Sequence, residues 1–244
     1  EQAMVRKVAV SSFLGNFIEW FDYASYSYFA TTIALVFFPT DNHTVAMLQT
    51  FGVFALSFIL RPIGALFWGS YGDKKGRKAA LAHSIMFMSG ASFLIGCLPS
   101  YSVIGVGAPI LLLLLRMVQG FSASGEYAGA ATFLGEYAPT SKRGIYCSLI
   151  PASTAIGLLA GSTLATLMTA NMNSSAMVGW GWRVPFLLAG PLGLIVLYIR
   201  TKLSDSPVYQ SMNDALESKS AASADGQVVS KSGMFAPLAE LFHN

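Results

Sequence analysis

Apolar residues along the chain form six long runs, separated by short polar or glycine-containing connections. A helix that crosses a bilayer needs about 20 mostly apolar residues, and each run is close to that length or longer. Runs of about 30 residues exceed the bilayer thickness, so we expect those helices to tilt or to protrude. The six predicted spans cover positions 8–38, 45–68, 79–98, 108–137, 144–170 and 182–200.

Charged residues are scarce, and their placement predicts the topology. The chain has 244 residues, of which 11% are charged, whereas soluble domains have about 25%. Lys and Arg precede the first span and follow the second, the fourth and the sixth, where Arg200 and Lys202 lie. The other three connections contain neither residue type. The positive-inside rule therefore predicts an all-α membrane protein with six transmembrane helices and cytoplasmic termini.

The composition changes after the sixth span. Positions 1–203 form the predicted transmembrane domain, whereas 204–232 are rich in Ser, Ala and Asp and lack an apolar stripe. That composition predicts a flexible cytoplasmic linker. Positions 233–244 then place apolar residues at helical spacing, which predicts a short helix on the membrane surface.

Two of the spans carry polar stripes, because their polar and aromatic residues recur at steps of three and four. The stripe of the first span is Ser12, Asn16, Glu19, Asp22, Tyr23 and Tyr26. The stripe of the fourth span is Arg116, Gln119, Ala123, Glu126 and Tyr127. Charges inside a membrane usually face the bundle interior or a wet cavity. Both stripes are therefore expected to face one shared cavity.

The carboxylates of these stripes, Asp22, Glu19 and Glu126, are the predicted proton-coupling residues. Burial disfavours a charged carboxylate and a nearby arginine favours it, so such a group can bind and release a proton when its exposure alternates. The alternative is a static ion pair of Arg116 with Glu126 or Asp22 that has no transport role.

Other intramembrane features receive structural interpretations. Arg61, Arg183 and Glu136 lie near the ends of predicted spans, where a charge is tolerated more easily. Small residues spaced four apart, at 125–129 and 157–161, predict close approach of neighbouring helices.

The connection after the second span reads GSYGDKKGRK and matches the signature of the major facilitator superfamily. The resemblance implies a cytoplasmic latch between two halves of a transporter. Its predicted residues are Gly69, Asp73, Gly76, Arg77, Lys78, Glu136 and Arg143. The alternative is a basic loop that only sets topology.

A second set of motifs resembles the metabolite:proton symporter family, and in particular its proline/betaine branch. These motifs are RMVQGFSASGEY, GEYAPTSKRG, GNFIEWFDY, RPIGALFWG and GWGWRVPF. The resemblance implies a twelve-helix, proton-coupled symporter of the bacterial inner membrane. This chain then supplies the N-terminal half, either as a fragment or as one part of a split protein, and a C-terminal six-helix half is its partner.

The expected substrate is a zwitterionic osmolyte such as proline or glycine betaine. Aromatic rings can bind a quaternary ammonium by cation–π contact, and an arginine can bind a carboxylate. The substrate-binding candidates are Arg116, Trp20, Tyr23, Tyr26, Gln119 and Tyr127. Organic acids such as citrate, 2-oxoglutarate or shikimate are the alternative, since the same arginine suits them.

Other classes of protein fit the sequence less well. A channel or a membrane scaffold remains a possible class, but the predicted external connections are short and nearly uncharged, unlike a channel filter. No nucleophile–base pair or His-rich cluster indicates an enzyme. We expect protons, a small-molecule substrate and the lipid bilayer as partners, and no cofactor, metal or nucleic acid.

Overall fold

A computed structural model describes residues 2–204, 209–212 and 214–215, and no strand occurs in this part of the chain. The surface helix expected at 233–244, and most of the linker expected at 204–232, lie outside the described residues. Residues 209–212 are helical, and the Tyr209 hydroxyl donates a hydrogen bond to the carbonyl oxygen of Lys74 at 3.1 Å.

Twelve α-helices are described. Several consecutive helices follow one another with little or no break and together form one bent membrane-spanning segment. They are α1 Gln2–Tyr28, α2 Ala30–Phe37, α3 His43–Ile59, α4 Arg61–Lys75, α5 Arg77–Cys97, α6 Tyr101–Ile104, α7 Gly107–Ala123, α8 Glu126–Tyr137, α9 Arg143–Cys147, α10 Leu149–Asn171, α11 Ser174–Ala176 and α12 Arg183–Thr201. A 3-10 turn, Thr140–Lys142, precedes α9, and a π-helical turn, Met177–Gly181, joins α11 to α12.

Five helical stretches in the described residues are long and apolar enough to cross a membrane. They are His43–Lys75, Arg77–Cys97, Gly107–Tyr137, Thr140–Asn171 and Ser174–Thr201. These stretches correspond to the second to sixth predicted spans. The first predicted span forms α1 and α2, and it is not among the five because its polar stripe lowers its hydropathy.

Helix α1 lies in the middle of the bundle. It packs along α10 and also contacts α12 and α8, while α5 packs against α12 and α7, and α3 against α7. Six polar or charged residues in the described part of α1 are almost completely buried: Ser11, Ser12, Asn16, Glu19, Asp22 and Ser25. The polar stripe of the first span is thus enclosed by protein, as its spacing predicts.

Glycines permit the closest helix contacts. A Cβ atom on Gly157 would lie 2.8 Å from the carbonyl oxygen of Phe17, and one on Gly161 would lie 2.6 Å from the Cβ of Ala24. A Cβ on Gly125 would lie 2.7 Å from the Cβ of Trp68. Both small-residue patterns therefore pack helices together, which confirms their structural interpretation.

The outer surface of the bundle is apolar. Large aliphatic side chains such as Leu48, Leu159 and Leu194 are 68%, 65% and 67% exposed. A water-exposed surface of this kind is uncommon in soluble monomers, whereas lipid tails solvate it without cost. Charge and hydrogen-bonding groups are instead concentrated inside the bundle, around α1.

Candidate functional site

Three arginine–carboxylate pairs lie next to α1 in the described residues. They are Arg200–Glu126, Arg61–Glu19 and Arg116–Asp22. The pairs meet α1 at Gly15, Glu19 and Asp22 respectively. With a rise of about 1.5 Å per residue, these levels follow one another at intervals of about 6 Å and about 4.5 Å along α1. The pairs form a ladder of charge through the interior, which we call the α1 ladder.

The Arg116–Asp22 pair is the most enclosed polar contact between α1 and α7. Arg116 Nη1 donates to Asp22 Oδ2 at 2.7 Å and to Gln119 Oε1 at 2.6 Å. The Gln119 amide in turn donates to the Ser92 hydroxyl at 2.5 Å. The guanidinium lies 3.8 Å from the centre of the Tyr26 ring. The sequence allowed a pairing of Arg116 with Glu126 or Asp22, and the structure places it with Asp22.

This pair leaves hydrogen-bonding capacity unused. Asp22 Oδ1 and Arg116 Nε and Nη2 are buried and have no partner among the described residues. Unpaired polar atoms in a dry interior carry a desolvation cost. The pair therefore has a free acceptor on the acid and free donors on the base, and a second arrangement can use them.

The Arg61–Glu19 pair lies next along the α1 ladder. Arg61 Nη2 donates to Glu19 Oε1 at 2.5 Å and also to the Tyr23 hydroxyl. The guanidinium lies 4.7 Å from the centre of the Phe58 ring and 5.1 Å from that of Tyr23. Glu19 Oε2 is buried without a partner in the described part of the chain.

The position of Arg61 corrects the sequence interpretation. The second span was predicted to end at 68, which put Arg61 near its end and favoured a structural role. The helical stretch runs from His43 to Lys75, so Arg61 lies near its middle. Arg61 is therefore a charged residue well inside this helical stretch rather than at its end, which its position near the end of the predicted span did not indicate.

The Arg200–Glu126 pair lies at the Gly15 level of the α1 ladder, and its side chains are almost completely hydrogen-bonded. Arg200 donates to both Glu126 oxygens and, at 2.5 Å, to the Leu81 carbonyl, and Ser84 donates to Glu126 Oε2 at 3.1 Å. A Cβ on Gly15 would collide with this pair. Arg200 was expected only to set topology at a helix end. Its pairing with Glu126 could not be read from its position after an apolar run.

The aromatic candidates are brought together only in part. The rings of Trp20 and Tyr23 meet edge to face at 5.8 Å, and Tyr26 covers Arg116. Tyr127 is 43% exposed and makes no ring contact with these three among the described residues. Tyr127 thus stands apart from the aromatic group on α1.

The signature loop joins α4 to α5. Gly76 has φ of +94°, a conformation that favours glycine, and ends α4. Asp73 Oδ1 and Arg77 Nη2 lie 2.9 Å apart, with the Asp73 side chain 58% exposed. Lys78 lies in the first turn of α5, and a Cβ on Gly69 would meet no atom within 4 Å.

The other two latch candidates lie beyond this loop. Glu136 is near the end of α8, and its Oε2 is buried without a hydrogen-bond partner in the described residues. Arg143 begins α9 and is exposed. The described contacts pair Asp73 with Arg77 but pair neither residue with Glu136 or Arg143.

No group of three or more His, Cys, Asp or Glu side chains within the described part could hold a metal ion. Cys97 and Cys147 are free thiols. The chemistry of the interior is thus that of arginines, carboxylates, amides and aromatic rings.

The family is defined by comparison with known proteins. The family model described as "Sugar (and other) transporter" matches residues 7–234, and the chain belongs to this family of the major facilitator superfamily. The E. coli xylose transporter XylE in a partially occluded inward-open conformation is similar in fold, with a TM-score of 0.78, 17% identity, and coverage of 88% of this chain and 52% of that one. A proton:xylose symporter XylE structure gives a TM-score of 0.78 at 16% identity, covering 88% and 48%.

Curated relatives share more of the sequence. The proline/betaine transporters of Salmonella typhimurium and Escherichia coli K12 are each 42% identical over 217 residues, which cover 89% of this chain and 43% of theirs. The glycine betaine/proline/ectoine/pipecolic acid transporter OusA of Dickeya dadantii is also 42% identical, with the same coverage. The chain spans about half the length of the curated relatives it matches.

Proposed function

We propose that this chain is the N-terminal half of a proton-coupled symporter in a bacterial inner membrane, with both termini in the cytoplasm. The complete transporter imports a small zwitterionic osmolyte, such as proline or glycine betaine, by alternating access. The names of the relatives that are 42% identical support the substrate class. The observation that carries the coupling mechanism is the Arg116–Asp22 pair.

Proton coupling requires a group whose protonation changes its partners. Asp22 meets Arg116 through one oxygen and has no partner on the other. Protonation of Asp22 removes the attraction between the two side chains and frees Arg116, which has unused donors. Because α1 carries Asp22 and α7 carries Arg116, loss of the pair loosens the contact between two helices that line the proposed pathway. Proton binding is then linked to helix movement.

A zwitterion fits the charge of the interior better than an anion does. Each of the three interior arginines is matched by one carboxylate, so the α1 ladder carries no surplus positive charge. A di- or tricarboxylate would bring uncompensated negative charge into a low-dielectric site, which is costly. A neutral zwitterion adds none. Organic acids are therefore the second candidate class.

The C-terminal half and the latch belong to the same proposal. Glu136 Oε2 is buried and unpartnered in the described residues, and Asp73 is largely exposed. Asp73 is exposed enough to meet a second six-helix half on the cytoplasmic side, and Glu136 could do so after a local rearrangement that exposes its carboxylate. The proposed partners are thus this half, the bilayer, protons and the osmolyte.

The proposal is tested by uptake into proteoliposomes that contain the complete transporter. Radiolabelled glycine betaine and citrate are supplied with and without an imposed inward proton gradient. Accumulation of betaine only in the presence of the gradient is the expected result. Gradient-driven citrate uptake would instead support the organic acid class, and betaine entry that ignores the gradient would contradict symport.

A further inference from the structure

Arg61 combines a position near the middle of a candidate membrane-spanning stretch with partial exposure. Its side chain is 27% exposed, whereas that of its partner Glu19 is 2% exposed. A charged group near the middle of a bilayer is strongly disfavoured in contact with lipid, so it faces a water-filled cavity or other protein. The accessible edge of the Arg61 guanidinium is therefore expected to face either a water-filled pathway or the second half of the transporter rather than lipid.

Arg116 is a poorer receptor for a substrate carboxylate. Its side chain is 0% exposed, it is bound to Asp22 and Gln119, and the rings of Tyr26 and Phe186 lie 3.8 Å and 5.5 Å from its guanidinium. A ligand could reach Arg116 only after this contact opens. The accessible edge of Arg61 needs no such rearrangement, and only its partner Glu19, 2% exposed, has to open toward a ligand.

The surroundings of Arg61 also suit a cation. The Phe58 ring is 39% exposed and lies 4.7 Å from the guanidinium, so a positive group is already held against its face. Trp20 meets Tyr23 edge to face. Glu19 Oε2 is buried without a partner among the described residues. Aromatic faces beside a carboxylate are the usual environment for a quaternary ammonium.

We propose that Arg61, Glu19, Phe58 and Trp20 form the N-terminal half of a zwitterion-binding site. The substrate carboxylate binds Arg61, and the substrate nitrogen binds between the Glu19 carboxylate and the aromatic faces. The bound zwitterion places its negative group beside Arg61 and its positive group beside Glu19, so that every charge at the site has an opposite charge next to it. Tyr23, whose hydroxyl accepts from Arg61, holds the guanidinium in place. This inference rests on the proposed function and assigns its substrate to the Arg61 level of the α1 ladder.

The proposed site favours a ligand that carries both a carboxylate and a positive charge. A compound with both charges gains from Arg61 and from the cation site, whereas choline, which carries the quaternary ammonium without a carboxylate, gains only from the second. The ratio of glycine betaine affinity to choline affinity therefore reports on Arg61. A general loss of folding would lower both affinities together and leave the ratio unchanged.

Equilibrium binding to the purified complete transporter tests the assignment. Radiolabelled glycine betaine and choline are measured at one pH without a proton gradient. For Arg61→Gln we expect betaine affinity to fall about 10- to 100-fold, the range for a lost charge-assisted hydrogen bond, with choline affinity nearly unchanged. Arg61→Lys should restore part of the ratio. Phe58→Ala should weaken both ligands about 2- to 30-fold.

Arg183→Gln is the matched control, because Arg183 is also a membrane arginine but donates to the carbonyl oxygens of Gly96 and Leu98. It should leave the ratio unchanged. An unaltered betaine-to-choline ratio in Arg61→Gln, with wild-type binding intact, would overturn the site and leave symport standing. Failure of the wild-type transporter to bind betaine and proline would overturn the proposed function and the site together.

Discussion

At the scale of single residues, Asp22 has one oxygen bound to Arg116 at 2.7 Å and one oxygen without a partner in the described part of the chain. Glu126, by contrast, receives hydrogen bonds from Arg200 and Ser84 on both of its oxygens. A carboxylate whose two oxygens both accept hydrogen bonds is suited to joining helices, whereas one with an unpartnered oxygen can change its partners. We therefore propose Asp22 as the proton carrier and Glu126 as a positioning residue.

Substitution of Asp22 is expected to abolish proton coupling while leaving substrate exchange across the membrane intact. Asparagine keeps the shape of the side chain but cannot bind and release a proton, so Asp22→Asn should abolish gradient-driven accumulation of betaine. Exchange of labelled for unlabelled betaine across the liposome membrane, which needs no net proton movement, should continue. Asp41→Asn, in the connection between α2 and α3, is the matched control. Uphill uptake by Asp22→Asn would exclude Asp22 as the carrier.

The polar stripes predicted which residues of the first and fourth spans face inward, except for Tyr127, which is 43% exposed, because a charge spaced for one helix face has to avoid lipid. The pairing of those residues was not predictable, since it depends on the relative heights of helices. Arg61 was assigned to a span end but lies near the middle of its helical stretch, whereas Arg200 does lie in the last turn of α12. Apolarity does not show where a helix ends once it continues beyond the bilayer core.

At the scale of elements, the contact between α1 and α10 is the closest packing on which the α1 ladder depends. Asn16 of α1 donates to Ile150 O, Ser153 Oγ and Thr154 Oγ1 of α10 at 3.0, 2.8 and 2.9 Å. Gly157 and Gly161 allow the two backbones to approach. This contact fixes the rotation of α1 and hence the direction of its carboxylates.

Gly157→Ala should destabilise the bundle. Its Cβ would lie 2.8 Å from the Phe17 carbonyl oxygen, and backbone cannot move aside as a flexible side chain can. Overpacking of this kind costs about 1–3 kcal/mol. We expect a lower melting temperature in detergent and weaker betaine binding.

Gly90→Ala is the control for that substitution, because a Cβ there would meet no atom within 4 Å. Alanine also has the higher helix propensity. Its melting temperature should equal or exceed that of the wild type. Equal stability of Gly157→Ala and Gly90→Ala would contradict the close packing of α1 on α10.

The breaks between helices within one span were harder to predict from the sequence than the spans themselves. The second span bends where α3 ends and α4 begins with Pro62 in its first turn, and proline there lacks a backbone donor. No such residue marks the break at Phe29 between α1 and α2. The composition predicted six spans, whereas these local changes of direction arise from packing.

At the scale of the whole molecule, the chain spans about half the length of the curated relatives it matches. The fold matches about half of each structural neighbour, as the resemblance of the sequence motifs to a twelve-helix family implied. The identity of the substrate is harder to predict from this half, because a central pathway takes residues from both halves. The position of Arg61 adds an argument that the sequence did not contain.

The latch is tested at this scale through Asp73. Its carboxylate pairs with Arg77 four residues later and is 58% exposed, so it contributes little to the stability of this half. Asp73→Asn should therefore leave equilibrium betaine affinity near wild type while slowing betaine exchange. A large loss of affinity with normal exchange rates would show that Asp73 acts on binding instead.

Substrate-driven proton movement tests the central claim most directly. Liposomes that contain the complete transporter and a pH-sensitive dye start with equal pH on both sides, and glycine betaine is added outside with the membrane voltage clamped. The account predicts acidification of the lumen by wild type and none by Asp22→Asn. Entry of betaine into wild-type liposomes without acidification would contradict proton symport through this half.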